Sequence, residues 1–183
     1  MASSSFLAMT TVDLKKYDVF ISFRGDDTRA GFTSHLHAAL KRSYLETYID
    51  YRIEKGDQVW TELEKAILDS TLFLVVFSEN YANSTWCLNE LVEIMECHKN
   101  GQVVVPVFYQ VDPSDVRKQT GSYGTALAKN KKQGGKNDDK MMQNWKNALY
   151  QAANLSGFHS TKYRYLFMCL CFSRLINFTV VIM

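Results

Sequence analysis

The sequence predicts an α/β fold in which parallel strands form a sheet with helices packed on its faces. Three observations carry this expectation. The apolar strand candidates are continuous runs, as expected where both faces of a strand are buried. Segments with apolar residues at helical spacing alternate with them. Short polar stretches containing Gly, Asp or Pro separate the two kinds of segment. Such alternation builds right-handed βαβ units, and ligands of open parallel sheets lie beyond the carboxyl ends of the strands.

Tyr17 to Phe23 is the first strand, ended by the turn Arg24-Gly25-Asp26-Asp27. From Phe32 to Arg42 the apolar residues stand at 32, 36, 39 and 40, which is helical spacing. Thr47 to Ile49 is a short second strand, closed by a polar loop from Asp50 to Asp57 with Gly56 inside it. Trp60 to Leu68, apolar at 60, 63, 66 and 67, reads as a helix. Thr71 to Phe77 is the most strand-like run, with no polar residue after Thr71. A helix from Trp86 to His98 and a β-branched strand from Val103 to Tyr109 follow. Asp112-Pro113 sets a cap and a proline where a further helix begins, and another helix is read from Met141 to Ala153. The loops facing a ligand are then Arg24 to Gly31, Asp50 to Asp57, Ser78 to Trp86 and Tyr109 to Val116.

Composition removes several function classes. The chain has 183 residues, 46% of them apolar and only two of them proline, which argues for one globular core and against disorder. Its net charge of +2 hides a split. Residues 1–139 carry 19 acids and 16 bases, a balance of −3, whereas 140–183 carry five bases and no acid. No basic stripe interleaved with aromatics runs along a strand, so nucleic acid is not an expected partner. Cys87, Cys97, Cys169 and Cys171 form no CxxC pair, so reduced thiols and no metal site are expected. The start, MASSSFLAMTT, lacks the charged and apolar regions of a secretory signal. The expected compartment is the cytoplasm, the nucleus being open to such a protein as well. Neither GxGxxG nor GxxxxGK[ST] occurs, which excludes a dinucleotide fingerprint and a P-loop. A phosphate-accepting receiver domain would want an aspartate after the third strand, where this chain has Ser78-Glu79.

The segment from Trp86 to His98 carries the chemistry. At about 100° per residue, Leu88, Leu91, Val92 and Met95 form one stripe to face the sheet, with Trp86, Glu90, Glu93 and Cys97 opposite. Trp86 and Glu90 are neighbours at i and i+4 on that outer face. One reading is a cleft wall, with an aromatic face for a planar ligand and a carboxylate beside it. The other is a tryptophan under a neighbouring loop with Glu90 in solvent.

Three motifs add a resemblance: Tyr17-Asp18-Val19-Phe20-Ile21-Ser22-Phe23-Arg24-Gly25-Asp26-Asp27-Thr28-Arg29, then Phe77-Ser78-Glu79-Asn80-Tyr81-Ala82 with Trp86-Cys87-Leu88-Asn89-Glu90-Leu91, then Val107-Phe108-Tyr109-Gln110-Val111-Asp112-Pro113-Ser114-Asp115-Val116-Arg117. In that order they resemble the Toll/interleukin receptor homology (TIR) domain of plant disease-resistance proteins, over residues 16–160. The resemblance implies a flavodoxin-like, five-stranded parallel sheet with flanking helices. It also implies hydrolysis of NAD+ at the nicotinamide–ribose bond on self-association, in plant innate immune signalling and cell death, with NAD+ as substrate and no cofactor. Glu90 matches the catalytic glutamate of the family. Phe23, Arg24 and Gly25 match its first strand-end loop, Ser84 a hydroxyl near the ribose, and Trp86 an aromatic face for the ligand. Asp50 to Asp57 matches a loop gating the pocket; Glu54 stands where an arginine is frequent, and Lys55 is the candidate to replace it.

Partners implied by the resemblance are further copies of the chain or other TIR-domain proteins. Ser34-His35 match the Ser-His pair of one self-association surface, and Gly157 matches a second. After Ser160 the pattern is lost. Where the family continues with an acidic amphipathic helix, residues 165–183 are 15 apolar in 19, so the last helix is expected to be atypical or missing. As a membrane contact this tail is short, and Arg174 at its centre costs about 2.5–3.5 kcal/mol on insertion scales. The expected organisation is a disordered tail over 1–15, the domain over 16–160 and an atypical apolar tail over 161–183. A catalytically weak adaptor acting only through TIR–TIR contacts is the alternative function.

Overall fold

The computed structural model describes residues 15–50, 57–133 and 138–160. The gating-loop residues Glu54 and Lys55 and the tails expected over 1–15 and 161–183, apart from Lys15, lie outside the described residues.

Five strands form one sheet in the order β2-β1-β3-β4-β5, every pair parallel. They are β1 Tyr17–Phe23, β2 Thr47–Ile49, β3 Ser70–Phe77, β4 Val103–Phe108 and β5 Phe158–His159. The chain leaves β1 for β2 on one side and returns to β3 on the other. That reversal makes the β1–β3 seam the topological switch point, where the crossovers diverge and a crevice opens. Register along the seam sets Ser22 beside Val75 and Phe23 beside Val76.

Alternation along each strand sorts the core into two layers. Phe20, Phe73, Val75, Phe77 and Phe108 face one side with Leu63, Leu88, Leu91, Tyr123 and Leu149. Val19, Ile21, Leu72, Leu74, Val76 and Val107 face the other with Phe32, Leu36 and Leu40. Burial on both faces is why β3 contains no alternation. Seven of its eight residues are buried.

The helices are α1 Gly25–Thr28, α2 Ser34–Arg42, α3 Asp57–Leu68, α4 Thr85–Lys99, α5 Pro113–Lys118, α6 Gly121–Gln133 and α7 Asp138–Ala152. A π turn, Arg29–Thr33, joins α1 to α2, and a 3₁₀ turn, Tyr81–Asn83, precedes α4. The helix expected from Phe32 therefore begins at Ser34. Asp112 caps α5, its carboxylate accepting from the Ser114 amide at 2.7 Å, with Pro113 at the first position as the motif predicts. The sequence reading missed α6, whose Gly121, Gly124 and run of Lys and Asn dilute the helical pattern. It also placed no β5 from pattern, because two residues carry no periodicity.

Gly157 holds β5 in place. A Cβ built on it would collide with the Pro106 carbonyl oxygen and stand 2.6 Å from Pro106 Cγ. Tyr109 donates its amide to Phe77 of β3, so by alternation position 106 faces the β5 side. There pairing starts only at Val107–Phe158, and proline's missing N–H interrupts no ladder. The prediction is that Gly157→Ala lowers stability by about 1–3 kcal/mol through forced separation of β4 and β5. A denaturant midpoint unchanged from the parent would contradict it.

Candidate active site

A cavity of about 500 Å³ opens at the carboxyl edge of the sheet, at the switch point. Residues after β1, the residue after β2 and the first two turns of α4 line it. Phe23, Arg24, Gly25, Ser84, Trp86 and Glu90, named from sequence, all stand on its wall, together with Asp50 and Arg29.

The outer-face assignment of Glu90 and Cys97 is corrected by the structure. Glu90 is 5% exposed and Cys97 4%. The buried arc of α4 runs from Leu88 through Leu91, Cys87 and Ile94 to Glu90 and Cys97, about half the circumference, centred nearly a quarter-turn from the expected stripe. The reason is that α4 packs on β1 and β4 and is flanked by α3 and α7. Trp145 of α7 donates its indole N–H to Asn89 at 2.8 Å, and Trp60 of α3 meets Trp86 edge-to-face at 5.1 Å. Trp86 is thus covered by a helix, where a loop was the alternative, and still reaches the cavity. Glu90 does not lie in solvent.

What meets Glu90 comes from β1. The buried even-numbered residues of β1, Phe20 and Ser22, face α4, and Ser22 is the polar one of the two. Its hydroxyl donates to Glu90 Oε2 at 2.8 Å and lies 2.9 Å from the Tyr81 hydroxyl. Tyr81, fully buried on the 3₁₀ turn, also reaches the Cys87 carbonyl at 3.0 Å. Burial, followed by the neighbouring Cys87 and Glu90, pushes the Tyr81 phenol well above its ordinary value, so it stays a neutral hydroxyl. Sequence reading missed both residues. A lone serine within a buried apolar strand, on the face toward the motif helix, was the available signal for Ser22; Tyr81 carried none.

The entrance is basic and acidic by turns. Arg24 donates to Asp26 at 2.8 Å, and its Nε lies 3.5 Å from Asp27 Oδ1. That Nε is buried and makes no hydrogen bond within the described structure, its ion pair with Asp27 aside. Asp27 braces the whole loop, accepting from Ser78 Oγ at 2.6 Å and from the Asn80 amide at 3.0 Å. Asp26 is mostly in solvent, with its side chain 83% exposed, and Asp27 is the residue that ties β1's loop to β3's. Gly25 leaves its Cα side open to Arg29, since a Cβ there would stand 2.5 Å from Arg29 Nη2. Ser84 caps α4, accepting from the Cys87 amide at 3.3 Å, and its proton remains available to a ligand.

Two self-association candidates lie elsewhere. Ser34 donates to the Gly31 carbonyl at 2.9 Å at the start of α2, and His35 is exposed on that helix. Gly157 is exposed at the far edge of the sheet. Among the described residues no group of His, Cys, Asp and Glu is placed to hold a metal ion, and no helix is long and apolar enough to cross a membrane. Cys87 and Cys97 are buried and form no disulfide among the described residues.

Comparison with known proteins agrees with this architecture. The family model of the TIR domain matches residues 16–167. Disease resistance protein RPV1 of Vitis rotundifolia is 50% identical over 90% of this chain, and TMV resistance protein N of Nicotiana glutinosa is 51% identical over 77%. The chain spans only 12% of the length of each. The TIR domains in a structure of the activated Roq1 resistosome, directly recognizing the pathogen effector XopQ, superimpose with a TM-score of 0.76 at 43% identity, covering 88% of this chain and 98% of that one. The RPS4 and RRS1 TIR domain heterodimer shares the fold at a TM-score of 0.55 and 19% identity, covering 88% and 96%. With the family model spanning most of its length and disease-resistance relatives about half identical to it, the chain belongs to the TIR domain family.

Proposed function

We propose that this domain hydrolyses NAD+ at the nicotinamide–ribose bond when several copies, or this chain and other TIR domains, assemble, and that the product signals in plant immunity and cell death. The observation that carries the reading is a carboxylate, Glu90, buried in the wall of a cavity at the switch point and flanked there by Trp86 and Arg24.

The chemistry suits one acid. In NAD+ the C1′–N bond joins the ribose to a pyridinium ring. When the bond breaks, its electron pair moves to the ring nitrogen and neutral nicotinamide leaves, so no general acid is needed at the leaving group. A sugar glycoside, by contrast, requires two carboxylates. Positive charge develops on the ribose, and Glu90, itself shielded from bulk water, stabilises it. Water then bonds to C1′ and releases a proton, giving ADP-ribose; an acceptor within the same molecule gives a cyclic product instead. Trp86 offers its ring to the pyridinium or adenine by stacking or cation–π attraction. Arg24, a guanidinium on the cavity wall, is suited to the diphosphate. Ser84 offers its hydroxyl to the ribose, and Lys55, in place of the arginine that Glu54 replaces, is the loop's candidate for phosphate.

Arg24 favours the adaptor reading in one respect, because Asp26 and Asp27 pair with it. An exposed pair such as Arg24–Asp26 is worth about 0–1 kcal/mol, which a diphosphate displaces. The assay is nicotinamide release from NAD+ by the concentrated protein. Glu90→Ala is expected to lower the rate about a hundredfold or more. Equal rates for parent and variant would remove Glu90 from the mechanism and leave the adaptor.

Two more outcomes follow from the same site. Arg24→Ala raises the KM for NAD+ about tenfold or more, by loss of a charge-assisted contact, and an unchanged KM would place the diphosphate elsewhere. His35→Ala leaves the thermal midpoint near that of the parent, because the side chain is exposed, while weakening self-association and with it the rate per molecule. A variant that sediments like the parent at every concentration would exclude that face of α2.

A further inference from the structure

Burying a carboxylate is costly unless donors meet it, and the ionised form is the one that suffers. Glu90 is nevertheless the group asked to carry negative charge opposite a developing cation. The neighbouring charges do not settle the matter in its favour. Arg24 is engaged by Asp26 and Asp27. Arg29 and Asp50 share the cavity wall and oppose each other in sign. One turn further along α4, Glu93 is another acid, itself pushed above its ordinary value by burial and then by Glu64 and Glu96. Among the described residues Cys87 and Tyr81 also stand near Glu90. The thiol lies 3.6 Å from the Phe23 carbonyl, and the phenol is held neutral.

A direct buried donor to the carboxylate comes from β1. Ser22 gives its proton to Glu90 Oε2 at 2.8 Å, and the Tyr81 hydroxyl stands behind Ser22 at 2.9 Å. Ser22 is 1% exposed and Tyr81 fully buried, so neither hydroxyl has bulk water as an alternative partner. When Ser22 donates to Glu90, the Tyr81 proton is the one available to Ser22 Oγ, shared with the Cys87 carbonyl at 3.0 Å. Each hydroxyl in such a chain polarises the next. The backbone holds the pair rigidly, since Ser22 is paired to Val75 in the middle of the sheet and Tyr81 is wedged between Phe77, at 5.1 Å, and α4.

We propose that Ser22 and Tyr81 are positioning residues for Glu90: their hydroxyl chain fixes the direction of the carboxylate and keeps it ionised inside the protein, ready for a cationic ribose. This rests on the catalytic reading of Glu90 only for its consequence in turnover. The hydroxyl chain itself is independent of what the cavity binds.

The test compares Ser22→Val with Ser22→Thr, two side chains of one shape that differ in the hydroxyl. The pH dependence of kcat/KM for nicotinamide release is recorded for both, and Glu90 is titrated directly by carboxyl-carbon NMR. Ser22→Val is expected to move the acid limb and the Glu90 midpoint upward by about one pH unit, the worth of one lost hydrogen bond to a charged group. Ser22→Thr brings both back toward the parent. Tyr81→Phe keeps the ring and moves both in the same direction by less, and it carries the test should Ser22→Val fail to fold. An unmoved Glu90 midpoint in Ser22→Val or Tyr81→Phe, or equal midpoints for Val and Thr, overturns the proposal. A midpoint that moves in a protein that never releases nicotinamide overturns the catalytic reading and leaves the positioning role standing.

Discussion

The structure turns on one buried polar contact, the hydrogen bond from Ser22 in the centre of the sheet to Glu90 on α4. A carboxylate shielded from water must find donors, and a strand interior offers them only where a side chain interrupts the apolar run. Ser22 is that interruption. Its position on the α4 face follows from strand alternation, and its neighbour Phe23, one residue later, falls on the opposite face and ends the strand at the cavity. A one-residue slip of β1 would turn Ser22 away from α4 and leave Glu90 facing a phenylalanine. The extensive pairing of β1 with β3 prevents that slip.

The remaining features serve the same crevice. Asp27 ties the loop after β1 to Ser78 and Asn80 after β3, so the two strand ends at the switch point are held together by side chains as well as by the ladder. A π turn follows directly and brings Arg29 to the cavity, in keeping with the frequent occurrence of such turns at functional sites. The buried Thr33–Thr28 hydroxyl contact at 2.8 Å and the Ser34–Gly31 contact close this turn onto α2. Loop, turn and helix therefore form one connected piece from Arg24 to Arg42, and the exposed face of that piece carries His35.

The fold was legible because burial on both faces leaves a strong mark: β1, β3 and β4 are mostly apolar runs without alternation, and their ends are within a residue of expectation. Elements without such a mark escaped. α6 is built from Gly, Lys and Asn around a few buried contacts, and β5 is two residues held by the close approach of Gly157 to Pro106. The cavity residues Arg24, Ser84, Trp86 and Glu90 were reachable through motif spacing and the switch-point rule. The environment of Glu90 was not. A helical wheel counts only the contrast between polar and apolar positions, and α4 buries a glutamate and a cysteine on the face the wheel assigned to the outside. Flanking helices and a serine from a distant strand made that burial tolerable, and neither is encoded within the segment itself.

A buried, hydroxyl-held carboxylate, an aromatic wall and an arginine at the cavity make a site suited to a cation joined to a diphosphate, which is how NAD+ is built. The most direct measurement is a structure of the assembled protein with NAD+ or an uncleavable analogue bound. The nicotinamide-bearing ribose is expected within hydrogen-bonding distance of Glu90, with the diphosphate on Arg24 and Ser22 still joined to the carboxylate. A ligand bound with its ribose away from Glu90, or a Glu90 swung out of the Ser22 contact in the bound state, would contradict that assignment.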